Sequence, residues 1–273
     1  MYWVFGIILF VVIGYFVDRE IYFYEGVRLG PRVQAWLYDR WSRKYDGYKT
    51  ESQRHDDEML AQPLLDALKD VPEPFVLDFA TGTGRLSLAL LKRTDFNGRI
   101  VALDLSQGML EQAASKLRLH RSRFELLRHL SLPLPFPDSS FDVVCALEVL
   151  ELFQTMDEPL AEFSRVLRPG GVLLTSRGTE ASGRKARVKS AVEYASMLER
   201  HGFENVRITK WWKWFDRILA ARQGNSTSVQ KHSLMDVLKC SCDHIQWEKK
   251  TDSLRCGHCG RELTITKEAI VLN

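Results

Sequence analysis

One stretch constrains the fold more than any other: Val76-Leu77-Asp78-Phe79-Ala80-Thr81-Gly82-Thr83-Gly84. An apolar run passes into a turn of small residues, and helical sequence resumes near Arg85. Gly82 and Gly84 let the backbone turn tightly and let a ligand lie against main-chain N–H groups. A strand that turns straight into a helix is the start of a parallel βαβ unit. The dinucleotide pattern G-x-G-x-x-G/A does not fit, because Ser87 stands at its third position. That pattern also gives no reason for an acid inside the strand, where Asp78 lies.

The flanking sequence continues the alternation. Short apolar runs at Phe75–Ala80, Arg99–Asp104, Phe124–Leu127, Phe141–Leu147 and Gly171–Ser176 alternate with helical stretches. In Ser106–Leu119, Ser106 suits an N-cap, and Leu110, Ala113, Ala114 and Leu117 form an apolar stripe. A helix over about 191–201 and two strand-like runs, Val206–Trp212 and Phe215–Ala221, follow. The pattern predicts an α/β domain with a doubly wound, mainly parallel sheet covered on both faces.

An acid four residues before Gly-x-Gly resembles the first motif of class I S-adenosylmethionine-dependent methyltransferases, where it helps hold the methionine amino group through the turn. Asp104 ends the next strand, 20 residues beyond Gly84, where the family's carboxylate accepts both ribose hydroxyls. Leu134-Pro-Phe-Pro-Asp-Ser-Ser-Phe141-Asp142 resembles the approach to the fourth strand, and Arg165-Val-Leu-Arg-Pro-Gly-Gly171 the entry to the fifth. The nearest group is the ubiquinone and menaquinone C-methyltransferases, whose N-terminal lid Tyr38-Asp39 and Tyr45-Asp46 resemble. The resemblance implies a seven-stranded Rossmann-like sheet and a cofactor site of Asp78, Ala80, Thr81, Gly82, Gly84, Asp104, Leu105, Met109 and Leu147. Two positions depart from the family: Leu130 stands where an acid often accepts the adenine amino group, and Leu152 where a histidine is frequent. Methyl transfer needs positioning more than proton transfer. The candidates facing the methyl group are Tyr38, Tyr45 and Glu148.

At the N-terminus, Tyr2–Val17 is a run of 16 residues without a charge, closed by Asp18, Arg19 and Glu20. As a helix it covers about 24 Å, against about 30 Å for a hydrocarbon core. With no basic residue before it and Arg19, Arg28 and Arg32 after it, the reading is an uncleaved single-pass membrane anchor with the catalytic domain cytoplasmic. Composition excludes a disordered chain, at 45% hydrophobic and 27% charged residues. A net charge of +3 from 38 basic and 35 acidic residues gives no argument for nucleic acid. The basic segment 177–189 follows the fifth strand and suits anionic headgroups. Trp211, Trp212 and Trp214 suit either a membrane interface or a covered sheet edge.

Four of the five cysteines fall in the last 34 residues, as Cys240-Ser-Cys242 and Cys256-Gly-His-Cys259. Two close pairs of thiolates make a closed tetrahedral Zn2+ site, and five cysteines in 273 residues exclude a disulfide scaffold. Cys145 reads as inert core, and His258 as turn filler. Residues 233–273 resemble the zinc-ribbon family of small methyltransferase activators. The expected organisation is an anchor (1–20), a helical lid (21–73), the methyltransferase domain (74–222), a linker (223–232) and the ribbon (233–273). The expected activity is methylation of a lipid or lipid-like small molecule. The alternatives are a tRNA, rRNA or protein acceptor with the ribbon as in-cis activator, or a cofactor-binding scaffold without catalysis.

Overall fold

The computed structural model describes residues 2–182 and 188–273. Among the described residues, seven α-helices appear in chain order: α1 (Tyr2–Phe16), α2 (Pro31–Gln53), α3 (Gln62–Ala67), α4 (Arg85–Leu91), α5 (Gln107–Lys116), α6 (Asp157–Val166) and α7 (Ala191–Arg200). The sheet begins with β1 (Phe75–Phe79), β2 (Arg99–Asp104), β3 (Phe124–Arg128), β4 (Phe141–Ala146), β5 (Leu167–Gly178), β6 (Phe203–Trp212) and β7 (Phe215–Arg222). Their order is β6-β7-β5-β4-β1-β2-β3. Strands β1 to β5 pair in parallel, and β7 inserts antiparallel between β5 and β6. This is the doubly wound sheet the alternation predicts.

The strands are buried on both faces, which explains their continuous apolar runs. Phe75, Leu77 and Phe79 of β1 point into one core, and Val76 into the other. Asp142 is the polar exception within β4. Its Oδ2 accepts the Phe75 N–H at 3.0 Å, and its Oδ1 accepts Arg168 Nε at 2.6 Å and the Val229 N–H at 3.1 Å. One buried carboxylate thereby ties β1, β4, β5 and the segment after β7 together.

Four further strands, β8 (Trp247–Lys249), β9 (Ser253–Cys256), β10 (Glu262–Ile265) and β11 (Ile270–Leu272), bear on the sheet edge. Strand β11 pairs parallel with β3, Ile270 opposite Leu126 and Leu272 opposite Arg128. The ribbon thereby extends the sheet to eleven strands, β11-β10-β9-β8 beyond β3. Leu238, Trp247, Leu263 and Val271 share one core with Leu127, Leu134 and Phe136. The Glu125 carboxylate accepts the Leu234 N–H at 2.6 Å, and the Trp247 indole donates to the Leu238 carbonyl at 2.6 Å.

The N-terminal reading needs correction. The helix α1 is 15 residues long, about 22 Å, and passes into the π-helical Val17–Phe23, which carries Asp18, Arg19 and Glu20. Glu20 is buried and pairs with Arg28 at 3.2 Å, so the charged end is held against the turn that leads into α2. Among the described residues no helix is long and apolar enough to cross a membrane. The single-pass placement, and the orientation derived from it, are therefore overturned.

The basic segment also reads differently. Arg177 is largely buried and pairs with Asp216 at 2.5 Å, while Arg184, Lys185 and Arg187 lie outside the described residues. Trp211 is buried, and Arg85 sits 4.8 Å over its ring.

Because the ribbon and the sheet share one core, Trp247→Ala is expected to lower the stability of the whole chain by about 3–5 kcal/mol. Chemical denaturation followed by fluorescence and far-UV dichroism should show one transition shifted as a unit. Two separate transitions would contradict the continuous core.

Candidate functional site

A cavity of about 480 Å³ opens at the carboxyl ends of β1, β2 and β4, beneath the lid. Its floor is the turn after β1. Ala80 and Gly82 both hold left-handed backbone, with φ of 53° and 56°. A Cβ at Gly82 would meet nothing within 4 Å, so this face of the turn is open toward the cavity. Gly84 (φ 77°) is constrained instead: its Cβ would lie 3.2 Å from both Ala113 of α5 and Leu117 just beyond its end. The third glycine-like demand is therefore for packing of helix against helix.

Asp104 closes the turn. Its Oδ2 accepts the Gly82 N–H at 2.8 Å, and its Oδ1 accepts the Ser106 N–H at 2.8 Å. The side chain is buried yet lines the cavity. Burial pushes its pKa up to about 6, and the backbone N–H groups of Ser106, Gly82 and Leu105 only partly offset this. Each oxygen keeps acceptor capacity after these bonds. Leu105, Met109, Leu130 and Leu147 add apolar wall beside it.

Asp78 occupies a different place. It is buried and does not line the cavity; its Oδ2 accepts from Thr81 Oγ1 at 2.7 Å and Ser87 Oγ at 2.6 Å. Burial again raises its pKa, against those hydroxyls. Asp78 and Thr81 brace the turn from behind, and Ser87, which broke the dinucleotide pattern, serves the acid within the strand. Of the residues expected at the cofactor site, Ala80, Gly82, Asp104, Leu105, Met109 and Leu147 share the cavity, whereas Asp78, Thr81 and Gly84 support it.

The lid is fixed by a repeat that runs along α2. Tyr38-Asp39 and Tyr45-Asp46 are seven residues apart, two helical turns, so like residues face the same way. Both tyrosines line the cavity. Asp39 Oδ1 accepts from Ser106 Oγ at 2.6 Å and from the Gly108 N–H at 2.8 Å, at the start of α5. Asp46 Oδ1 accepts from Thr83 Oγ1 at 2.6 Å, and its Oδ2 pairs with Lys116 at 2.6 Å. The two acids thus dock the lid on the loops after β2 and β1. Neither role was evident from the motif, although the heptad spacing carried the signal. Ser106 is the N-cap it resembled, accepting the Met109 N–H at 3.0 Å.

The three candidates for the chemical step differ in freedom. The Tyr38 hydroxyl donates to Glu25, and burial holds its pKa well above the usual range. Tyr45 is also raised, by burial and then by the Glu148, Glu25 and Asp104 carboxylates. Both phenols therefore stay protonated at neutral pH. Glu148 has φ 54°, donates its N–H to Ser176 Oγ at 2.7 Å, and is paired with Lys49 and with Arg85. Arg85 in turn forks onto Asp56. Leu152, with Phe153 and Val149, makes the far wall apolar, and His129 stands beside Leu130.

At the ribbon, the ligand atoms of Cys240, Cys242, Cys256 and Cys259 all lie within 4.8 Å of one another. Cys240 and Cys259 Sγ are 3.6 Å apart, and Cys242 and Cys256 Sγ 3.7 Å. Four thiolates about 2.3 Å from a tetrahedral ion would be separated by about 3.8 Å.

Removing the docking carboxylate in Asp39→Ala is expected to destabilise the fold by about 1–2 kcal/mol through the lost hydrogen bonds at the start of α5. It should also increase amide exchange over residues 31–53. Exchange mass spectrometry reads both regions, and unchanged protection of α2 would refute the docking role.

Comparison with known proteins agrees with this geometry. Residues 76–171 match the methyltransferase-domain family. A demethylmenaquinone methyltransferase from Lactobacillus johnsonii is 32% identical over 171 residues, 50% of this chain and 70% of the relative. A ubiquinone/menaquinone biosynthesis C-methyltransferase from Hahella chejuensis is 38% identical over 101 residues, 36% of this chain and 41% of the relative. A malonyl-[acyl-carrier protein] O-methyltransferase from Xylella fastidiosa is 32% identical over 137 residues, 50% of this chain and 46% of the relative. The chain thus spans less than two thirds of several relatives. The fold alone is shared with a SAM-dependent methyltransferase structure from Aquifex aeolicus (TM-score 0.51, 22% identity, 61% of this chain and 92% of that one).

Proposed function

Since the chain belongs to the S-adenosylmethionine-dependent methyltransferase family, we propose that it methylates a small, uncharged, largely apolar acceptor from that cofactor. The observation that carries the reading is Asp104: a buried carboxylate, anchored by two backbone N–H groups, with acceptor capacity turned to the cavity. Such a group suits vicinal ribose hydroxyls, the open face at Gly82 suits the methionine portion, and Leu105, Met109 and Leu130 suit packing on adenine. The residues present therefore fit S-adenosylmethionine, which when bound supplies a methyl carbon activated by its sulfonium.

The chain's own residues then have to position an acceptor and exclude water. Protonated Tyr45 can donate a hydrogen bond to it. Tyr38 is committed to Glu25, and Glu148 to its two cations, so neither stands free as a base. This favours an acceptor that is nucleophilic without a strong protein base. The charged side chains lining the cavity, among the described residues, are Asp104, Glu148 and Glu158. With no lysine or arginine among the lining residues, an anionic acceptor such as nucleic acid is disfavoured. Val27, Pro31, Leu132 and Phe153 suit a lipid-like or aromatic compound instead.

We also infer that the four ribbon cysteines hold a structural Zn2+, since the sulfur separations match a tetrahedral thiolate site. The ion would contribute to folding of the ribbon and not to the chemistry.

Calorimetric titration of S-adenosylmethionine and S-adenosylhomocysteine should give saturable binding that Asp104→Ala abolishes. Labelled methyl groups should then pass into neutral, apolar extracts and not into RNA. Labelling of RNA, or binding untouched by the mutation, would refute the reading.

Hydroxyl donors favour ionised Asp104, so its pKa must drop below about 6 in the complex. Affinity is expected to hold steady above that pH and to fall by up to about tenfold per unit as pH drops through it. Asp104→Asn should flatten the profile, which calorimetry across pH 5 to 8 would test.

Metal analysis of purified protein should find one zinc per chain. Cys256→Ser should lose it and shift the single denaturation transition of the whole chain to lower denaturant, because the ribbon shares its core with the sheet.

A further inference from the structure

A second cavity, of about 210 Å³, lies between α3 and the β6–β7 hairpin, away from the methyl-transfer site. Pro63, Asp66, Arg207, Thr209 and Arg217 are among its walls. Two guanidinium groups line it, that of Arg207 exposed to solvent, without a matching pair of acids. Arg217 is half-buried, and its hydrogen bonds go to neutral acceptors: Nη1 to the Met59 carbonyl and Nη2 to Thr209 Oγ1 at 2.8 Å. Arg207 makes no hydrogen bond or ion pair among the described residues. The carboxylate present, Asp66, accepts from Gln62 at 2.8 Å and forms no ion pair with either arginine. Burial and the neighbouring Arg207 charge both lower the Arg217 pKa, as expected of cations brought together without an anion between them.

The strands account for the pairing. Thr209 lies opposite Arg217, and Arg207 opposite Leu219, in the antiparallel register of β6 and β7. Positions 207, 209 and 217 therefore share one face, and α3 covers it with Pro63 and Asp66. The result is a concave, partly apolar niche with two positive forks and one negative charge.

We propose that this niche binds a phosphate monoester group, seated between Arg207 and Arg217. A monoester carries a charge of about −1.5 to −2 at neutral pH and three acceptor oxygens, which answers two guanidinium forks more fully than one carboxylate does. The remaining volume, beside Pro63, takes a small organic part of the ligand.

The test is calorimetric titration of the full chain with inorganic phosphate, phenyl phosphate and benzoate at low ionic strength. Saturable binding of both phosphates, with benzoate weaker, is expected. Arg207→Gln should weaken phenyl phosphate by about tenfold, and Asp66→Asn should tighten it by about threefold by removing the opposing charge. A gain of affinity on mutation cannot come from damage to the fold. Both variants should bind S-adenosylmethionine as the parent does. Absence of saturable binding, equal binding of benzoate, or affinity unmoved by either substitution would overturn the proposal.

Discussion

The structure around the main cavity depends on a buried carboxylate that pairs with no cation among the described residues. Asp104 is held ionisable by two N–H groups, from Gly82 on one side and Ser106 on the other. Those donors belong to the turn after β1 and to the start of α5, so satisfying one side chain fixes the relative position of two strand ends. The turn cannot relax without leaving the carboxylate unpaired, and a buried acceptor without its donors is costly. That cost explains why the positive φ at Ala80, Gly82 and Gly84 is maintained. It also leaves the unsatisfied oxygen capacity of Asp104 in the one direction open to a ligand.

Around this carboxylate the lid repeats the same physics at longer range. Asp39 and Asp46 are acceptors carried on α2, and each takes donors from a loop that Asp104 has already positioned. Docking acids alternate with cavity-lining tyrosines because residues seven apart return to one face of a helix. Gly108 is needed where α2 comes closest: a Cβ there would stand 2.9 Å from Ser42 Oγ and 3.1 Å from the Asp39 backbone. The lid is therefore a covering element tied by hydrogen bonds to the floor it covers.

The parts legible in the sequence were those set by local chain chemistry. The five parallel strands, the Ser106 cap and the Gly82–Gly84 turn follow from apolar runs and small residues within a few positions of one another. What escaped depended on partners far away in the chain. Asp78 is written in the motif as an acid near a ligand, but only the fold shows Thr81 and Ser87 closing over it. The apolar run at 2–17 met the hydrophobicity of a span, but its length as α1 and the burial of Glu20 against Arg28 are tertiary facts. The union of β11 with β3 is likewise invisible locally, because an edge strand and a covered strand have the same period.

That union has a consequence for how the site is built. Strand β3 would otherwise be the open edge of the sheet, with unpaired N–H and C=O groups beside the loop carrying His129 and Leu130. Pairing with β11 removes the edge, and the contacts continue past it: the Asn273 N–H donates to the Arg128 carbonyl at 3.1 Å, and its side chain meets His129 Nδ1 at 3.2 Å. The His129 N–H in turn donates to the Asp104 carbonyl at 3.1 Å. The cavity wall next to Asp104 is thus covered by the lid, and its His129 loop is held from behind by Asn273 of the ribbon. Both close over backbone that the parallel sheet by itself would leave exposed, so the site is a joint property of segments more than 200 residues apart in the chain.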